Sequence, residues 1–108
     1  MRSSARLRNA TDFERVTGTG RRTRHDGLVV YAAPSDDPRV GFAIPRSAGT
    51  AVERNRARRR LRELARKHVG TGHDVVVRAE SPAMGASFQE LERHLTRALA
   101  DLGAEGRS

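Results

Sequence analysis

A basic stretch between residues 46 and 68 predicts a long helix with two unlike faces. Thr50 and Glu53 have the spacing of a capping box, in which two side chains satisfy the first free backbone N–H groups of a helix. Beyond this start, residues at steps of three and four form an apolar stripe, namely Ala57, Leu61, Leu64, Ala65 and His68. At about 100° per residue, the opposite side carries Asn55, Arg58, Arg59, Arg62 and Arg66. The chain must therefore fold so that one face of this helix is buried and the other is exposed.

The same stretch carries most of the charge of the chain. It holds nine of the 21 cationic residues and two of the 13 acidic ones, whereas the whole chain has a net charge of +8. Arginine dominates, and its planar guanidinium group can bind two phosphate oxygens at once. Helix faces that are merely solvated usually mix both signs of charge. The segment therefore predicts a surface for a polyanion such as a nucleic acid.

Residues 49–63 read GTAVERNRARRRLRE. A glycine, a short polar residue, Ala-Val, and then an asparagine between two arginines resemble the signature of the bacterial ribonuclease P protein family. The resemblance covers about residues 5–102. It implies a non-catalytic protein subunit that binds the catalytic RNA of ribonuclease P and the 5′ leader of precursor tRNA, assisting removal of that leader.

Length and composition favour one domain spanning residues 1–108, with a loose arm at 1–8 and a frayed tail at 103–108. The chain has no cysteine, which excludes disulfides, thiol nucleophiles and cysteine-based zinc sites, and suits a cytoplasmic location. No apolar run approaches the length of a membrane span, so a membrane partner is not expected.

The element order predicted from periodicity and turn residues is α-β-β-α-β-α. A first helix from a Thr11–Glu14 capping box ends at 18–20, and two strands at 28–33 and 39–44 run antiparallel across a short turn. The basic helix, a strand at 74–79 with consecutive valines, a loop at 81–85 and a helix from Ser87 to Leu102 follow. A short fourth strand is possible near 21–24. This order predicts an α+β sandwich with helices on one side of a small sheet.

The resemblance adds two expectations about this fold. It implies the ribonuclease P protein-like fold, which is shared with the second domain of a small-subunit ribosomal protein. It also implies a left-handed β-α-β crossover through the basic helix, against the general right-handed preference.

No catalytic constellation is found in the sequence. The four histidines, His25, His68, His73 and His94, lack metal-ligand spacing, and no glycine-rich phosphate loop is present. The resemblance implies that the catalytic RNA carries the Mg²⁺-dependent hydrolysis, with one protein per RNA. We therefore expect no catalytic and no metal-ligating residue in this chain.

Eight residues are expected to contact RNA: Arg46, Arg54, Asn55, Arg56, Arg58, Arg59, Arg62 and Arg66. Those from Arg54 to Arg62 match the family motif position by position, and Arg66 extends the polar face. Arg46 is the one cation in a loop where the family often has Ser-Lys-Lys. Arg54 falls near the apolar stripe, so its alternative role is to brace the loop before the helix.

The resemblance also implies a leader-binding cleft between the first helix and the sheet, where bases stack on aromatic rings. Phe13 and Tyr31 match the aromatic positions of this cleft, and Val29 lies on the same strand face as Tyr31. Phe13 could equally be a core residue. Thr17 stands where the family usually has a second aromatic residue, which leaves the strength of leader binding open.

Other functions explain the sequence less completely. A ribosomal or other structural RNA-binding protein accounts for the charge, but not for the Arg-Asn-Arg string or for aromatic positions expected to face it. A DNA-binding regulator lacks a second helix at helix-turn-helix distance. An autonomous nuclease lacks acid–base residues.

Overall fold

The computed structural model describes residues 10–106, and these contain four helices, four strands and one 3₁₀ turn. In chain order they are α1 Ala10–Thr19, β1 Arg21–His25, β2 Leu28–Pro34, β3 Val40–Ala43, the 3₁₀ turn Arg46–Ala48, α2 Ala51–His68, β4 His73–Ala79, α3 Ser81–Met84 and α4 Phe88–Leu102. The predicted α+β class is confirmed, and β1 is the fourth strand that the basic patch suggested. The predicted loose arm at 1–8 lies outside the described residues. Among residues 10–106, no helix is long and apolar enough to cross a membrane.

The four strands form one mixed sheet in the order β1-β2-β4-β3. β2 is antiparallel to both neighbours, whereas β3 and β4 are parallel and are joined through α2. The predicted opposite direction of β2 and β3 is thus correct, but the pairing that their short connection suggested is wrong, because β4 lies between them. Val75, Val76 and Val77 of β4 are at most 1% exposed, and a strand that is apolar on both faces belongs in the interior of a sheet.

The sheet is covered on both faces. On one face, the main core contains Leu28, Val30 and Val75 of the sheet together with Leu61 of α2 and Leu95 of α4. On the other face, α1 packs its Val16 against Ala33 and Val76. The prediction that the helices lie on one side is therefore wrong for α1. Side chains alternate along a strand, so apolar residues at successive positions leave a second apolar patch that needs its own cover.

β1 and β2 form a hairpin with a two-residue turn at Asp26 and Gly27. Both residues have positive φ, 47° and 91°, the conformation of the tight hairpin turns that favour Asp-Gly. A Cβ on Gly27 would also lie 2.8 Å from the backbone nitrogen of Ala83, so glycine is required here by space as well as by conformation.

The predicted capping box and apolar stripe of α2 are confirmed. The Glu53 backbone N–H donates to the Thr50 hydroxyl at 3.1 Å, and the Thr50 N–H donates to the Glu53 carboxylate at 2.9 Å. Leu61 and Leu64 are fully buried on the inward face. α4 begins with an equivalent box at Ser87. The helix on which the charge resides therefore has a defined start and a fixed rotation about its own axis.

Three local predictions differ from the structure. The first helix begins at Ala10, so Thr11 lies within its first turn and not before it. Residues 81–84, predicted as a loop, form the short helix α3, whose first turn accommodates Pro82 because proline needs no backbone donor there.

The end of the chain is the third difference. Ala104 is 1% exposed, Glu105 forms an isolated β-bridge with Val69, and the Gly106 N–H donates to the His68 carbonyl at 2.7 Å. Residues 103–106 are therefore attached to the end of α2, and the predicted frayed tail does not apply to them.

Candidate nucleic-acid interface

The outward face of α2 presents the predicted row of cationic side chains. Asn55, Arg59 and Arg66 are exposed, and Arg58 and Arg62 are half-buried. Arg58 donates to the Asn55 side-chain oxygen at 3.2 Å, so these two residues form a pair on the helix surface. We call these five residues the arginine face. They share one side of the helix because Leu61 and Leu64 hold the opposite side in the core.

Two arginines of the same helix are instead directed to the protein. Arg54 donates from Nε to the Gly49 carbonyl at 3.2 Å, which is the bracing role considered for it as an alternative. Arg60 donates to the Ala86 carbonyl at 3.4 Å and thereby connects α2 to the segment before α4. Arg56 is half-buried. The predicted RNA contacts of Arg54 and Arg56 therefore depend on parts of these side chains that remain accessible.

The loop before α2 places Arg46 beside the start of the helix. Arg46 is exposed in the 3₁₀ turn, and the Ser81 hydroxyl donates to the Ala48 carbonyl at 3.2 Å. A Cβ on Gly49 would lie 2.6 Å from the Glu53 carboxylate, so a side chain here would displace the group that accepts from the Thr50 N–H. The loop is thus fixed to both α2 and α3, and Arg46 is exposed a few residues before the start of α2.

A second candidate surface lies on the other face of the sheet. Phe13 of α1 and Tyr31 of β2 are half-buried and pack against Val16, Ala33 and Val76. Each ring is thus partly core and partly accessible, and contact of Phe13 with a base stays a prediction. We call Phe13 and Tyr31 the aromatic pair. They lie on the sheet face opposite to that packed by α2, so the expectation that they face the arginine face is wrong.

Val29 is more buried than its predicted place among the leader-binding residues implied. It shares the strand face of Tyr31, as expected, but it is only 2% exposed. Its neighbours in register are Arg24 of β1 and Arg78 of β4, which both reach the Glu80 carboxylate, at 2.6 Å and 3.3 Å. Val29 therefore packs beneath the side chains of Arg24 and Arg78 and offers little area for contact with a ligand.

The arginines of this second surface were not among the predicted site residues. Arg22, Arg24 and Arg78 lie on the same sheet face as Tyr31, since Arg22 pairs with Tyr31 and the other two pair with Val29. Hydrogen bonds from Arg24 and then from Arg78 lower the pKa of the Glu80 carboxyl. Alternation along the basic strand would have assigned Arg22 and Arg24 to one face. The pattern did not show, however, that this face of the sheet is the one that carries Tyr31.

Within residues 10–106, no three histidine, aspartate or glutamate side chains come together as a group able to hold a metal ion. Of the acidic residues near the two surfaces, Glu80 has arginine partners and Glu53 takes part in capping α2. The chemistry that these surfaces offer is thus binding through guanidinium groups and aromatic rings.

The comparisons with known proteins agree with this arrangement. Residues 1–103 match the family model described as Ribonuclease P. The ribonuclease P protein component of a Nocardioides species is 45% identical over 93% of this chain and 92% of its own length, and that of Acidothermus cellulolyticus is 40% identical over 93% and 89%. The solved RNase P protein of Staphylococcus aureus superposes with a TM-score of 0.82 at 25% identity, covering 92% of this chain and 95% of that one. The signature on α2, the fold and these matches together show that the chain belongs to the ribonuclease P protein family.

Proposed function

We propose that this protein, the non-catalytic subunit of ribonuclease P, binds the catalytic RNA through the arginine face and holds the 5′ leader of precursor tRNA on the aromatic pair. The observation that supports this most directly is the separation of the two surfaces. The arginine face belongs to a helix packed on one side of the sheet, and the aromatic pair lies on the other side. One small domain can therefore contact two nucleic acid segments at once.

The arginine face has the chemistry of a phosphate-binding surface. Arg59 and Arg66 are exposed, and Arg58 and Arg62 are partly accessible, along about two turns of a helix that is fixed by its buried side. Guanidinium groups at this spacing can bind successive backbone phosphates without reading the sequence of the RNA. Such binding suits an RNA recognised through its folded shape.

The aromatic pair has the chemistry of a single-strand contact. Unpaired bases stack on aromatic rings, and Arg22 on the same sheet face supplies a charge for the phosphate backbone. At position 17, where the family usually has a second aromatic residue, the Thr17 hydroxyl donates to the Phe13 carbonyl at 2.9 Å. The proposed stacking surface is therefore limited to Phe13 and Tyr31 and requires no particular leader sequence.

We assign the Mg²⁺-dependent hydrolysis to the RNA. Family membership supports this assignment, because the protein component is the non-catalytic subunit. We further propose one protein per catalytic RNA and a cytoplasmic location. Native mass spectrometry of the reconstituted complex measures the stoichiometry directly.

The experiment that tests leader binding compares precursor tRNA with mature tRNA, which lacks the leader. With holoenzyme containing Tyr31→Ala, binding of precursor tRNA should weaken by about 1–3 kcal/mol, the usual contribution of a base–aromatic stack. Binding of mature tRNA and the affinity of the protein for the catalytic RNA should stay unchanged. Tyr31→Phe is the matched control, because it keeps the ring and should preserve precursor binding.

Equal losses for both tRNAs would contradict leader stacking and indicate damaged assembly. The role as a ribonuclease P subunit has a separate test, which is precursor cleavage at low Mg²⁺ by a bacterial ribonuclease P RNA with and without the protein. A ribosomal or other structural RNA-binding protein would leave that cleavage unaffected.

A further inference from the structure

Asp74 at the start of β4 is the one charged side chain among the described residues that is fully buried. One carboxylate oxygen accepts a hydrogen bond from the Arg39 backbone N–H at 2.9 Å, and the other accepts from the guanidinium of Arg15. The Arg39 guanidinium lies 4.0 Å from that second oxygen. A buried carboxylate is tolerated only when it is paired and hydrogen-bonded, and this one meets both conditions.

This buried carboxylate joins α1 to the sheet. Arg15 belongs to α1, Asp74 belongs to β4, and Arg39 directly precedes β3, so the cluster connects three parts of the chain. Register places Asp74 beside Ala33, on the same sheet face as the aromatic pair. The hydrogen bond from Arg15 therefore crosses from α1 to the sheet on the surface where the leader is proposed to bind.

Among the side chains of α1 that the structure describes, Val16 and Phe13 make the apolar contact with the sheet. Val16 is the one described α1 residue that is fully buried, and Phe13 is half-buried beside it. α1 also precedes β1 directly, at Gly20, where a Cβ would lie 2.4 Å from the Val16 carbonyl and 2.6 Å from that of Ala32. A directional bond adds to this apolar contact and restricts how the helix can shift on the sheet. The Arg15–Asp74 pair supplies that bond, and it lies one turn or less from both Phe13 and Val16.

We propose that Asp74 is a positioning residue for the leader site: through Arg15 it fixes α1 on the sheet and so sets the separation between Phe13 and Tyr31. This inference rests on the proposed leader binding. Asp74 and Arg15 do not contact the leader in this arrangement. They determine whether the two rings are held where unpaired bases can reach both of them.

The test uses Arg15→Gln in the full chain and in the reconstituted holoenzyme. Arg15 is 41% exposed, so its replacement leaves no large cavity. Arg21→Gln is the matched control: it removes the same charge from the other face of the sheet, where Arg21 donates to the Asp101 carbonyl at 3.2 Å. Asp74→Asn, which keeps the shape of the side chain, is the second variant. The readouts are amide hydrogen exchange in the free protein and dissociation constants for precursor and mature tRNA.

We expect the amides of residues 13–19 to exchange about tenfold faster in Arg15→Gln, while those of α2 and α4 keep their protection. Precursor tRNA should bind about fivefold to tenfold more weakly, within the range expected for a weakened base stack, and mature tRNA should bind as before. Arg21→Gln should change neither. Asp74→Asn should reproduce the pattern of Arg15→Gln.

Unchanged exchange in α1 would overturn the inference, because the helix would then be held without the pair. Faster exchange with unchanged precursor affinity would also overturn it, provided that Tyr31→Ala weakens precursor binding selectively. If Tyr31→Ala has no selective effect either, the proposed leader binding itself fails. The behaviour of Tyr31→Ala thus distinguishes failure of the positioning role from failure of the proposed function.

Discussion

Arg59 and Arg60 are consecutive residues of α2, yet their guanidinium groups have different environments. Arg59 is exposed, whereas Arg60 donates a hydrogen bond to the Ala86 carbonyl at 3.4 Å. The rotation of about 100° between neighbouring helix residues directs one side chain to solvent and the other toward the segment before α4. The three successive arginines of this helix therefore do not form one uniform patch. This difference supplies a matched pair of substitutions.

The first prediction concerns the salt dependence of binding to the catalytic RNA. Each phosphate neutralised contributes about −0.7 to −0.9 to the slope of log K against log salt, because counterions are released. Changing Arg59 and Arg62 together to alanine should flatten that slope by about 1.4 to 1.8 units. The measurement is a series of dissociation constants at increasing monovalent salt.

Arg60→Ala serves as the control for this prediction. It removes the same charge from the same helix, but from a group bonded to the protein, so it should change the slope less than either Arg59→Ala or Arg62→Ala alone. An equal effect of all three substitutions would mean that general charge, and not the arginine face, determines the binding.

The second prediction is that the isolated protein cleaves no precursor tRNA. The chain belongs to the family of the ribonuclease P protein component, a non-catalytic subunit, so we expect the hydrolysis to need the RNA. Rigorously RNA-free protein is incubated with precursor tRNA and Mg²⁺, and the products are separated on a gel. Appearance of the correctly processed 5′ end under these conditions would refute the assigned division of labour.

The third prediction concerns the stability of the arginine face. Thr50→Ala removes the hydroxyl that accepts from the Glu53 N–H at 3.1 Å and should lower the free energy of unfolding by about 1 kcal/mol. Urea denaturation measures this change. Thr71→Ala is the control, since Thr71 is exposed in the loop after α2 and its loss should alter stability by less than about 0.5 kcal/mol. Similar effects of the two changes would show that the capping box does not stabilise α2.

The fourth prediction concerns acid stability. A hydrogen bond from His68 and the nearby charge of Lys67 lower the pKa of the Glu92 carboxyl below its ordinary 4.5. A carboxyl whose pKa is lower in the folded protein contributes stability that is fully present above the ordinary pKa and is lost as the pH falls through the lowered value. The free energy of unfolding should therefore decrease as the pH falls below about 4.5, and less steeply in Glu92→Gln.

Urea denaturation at several pH values below about 5 tests this prediction. Glu63→Gln, an exposed change on α2, should leave the acid dependence as in the wild type. If Glu92→Gln has the same pH dependence as the wild type, the contact between α2 and α4 at His68 and Glu92 does not contribute to acid sensitivity.

Local patterns predicted much of this molecule correctly. The capping box at Thr50, the buried stripe through Leu61 and Leu64, and the strand of three valines depend on residues a few positions apart. Backbone geometry relates such neighbours in the same way in any helix or strand. The family signature on α2 depends on the same short range. For these features, the sequence was sufficient.

The tertiary structure decided which segments meet. β4 lies between β2 and β3, and α1 covers the sheet face opposite to α2, although neither arrangement changes any local pattern. Arg15 and Asp74 are 59 positions apart in the chain. No periodicity in the sequence indicates that these two side chains meet. The environments of Arg59 and Arg60 likewise depend on where Ala86 lies.

The physical reason for this division is the range of the interactions involved. The amino-acid sequence by itself determined the two long helices, the main strands, the charged segment and the family, because these follow from contacts within one or two turns or from the order of residues. The tertiary structure alone determined the two separate surfaces and the buried pair that connects α1 to the sheet. Those depend on the free energy of packing distant segments against one another. The strand β4 and the buried carboxylate of Asp74 must be covered by other parts of the chain, and the spacing of residues in the sequence does not indicate which parts.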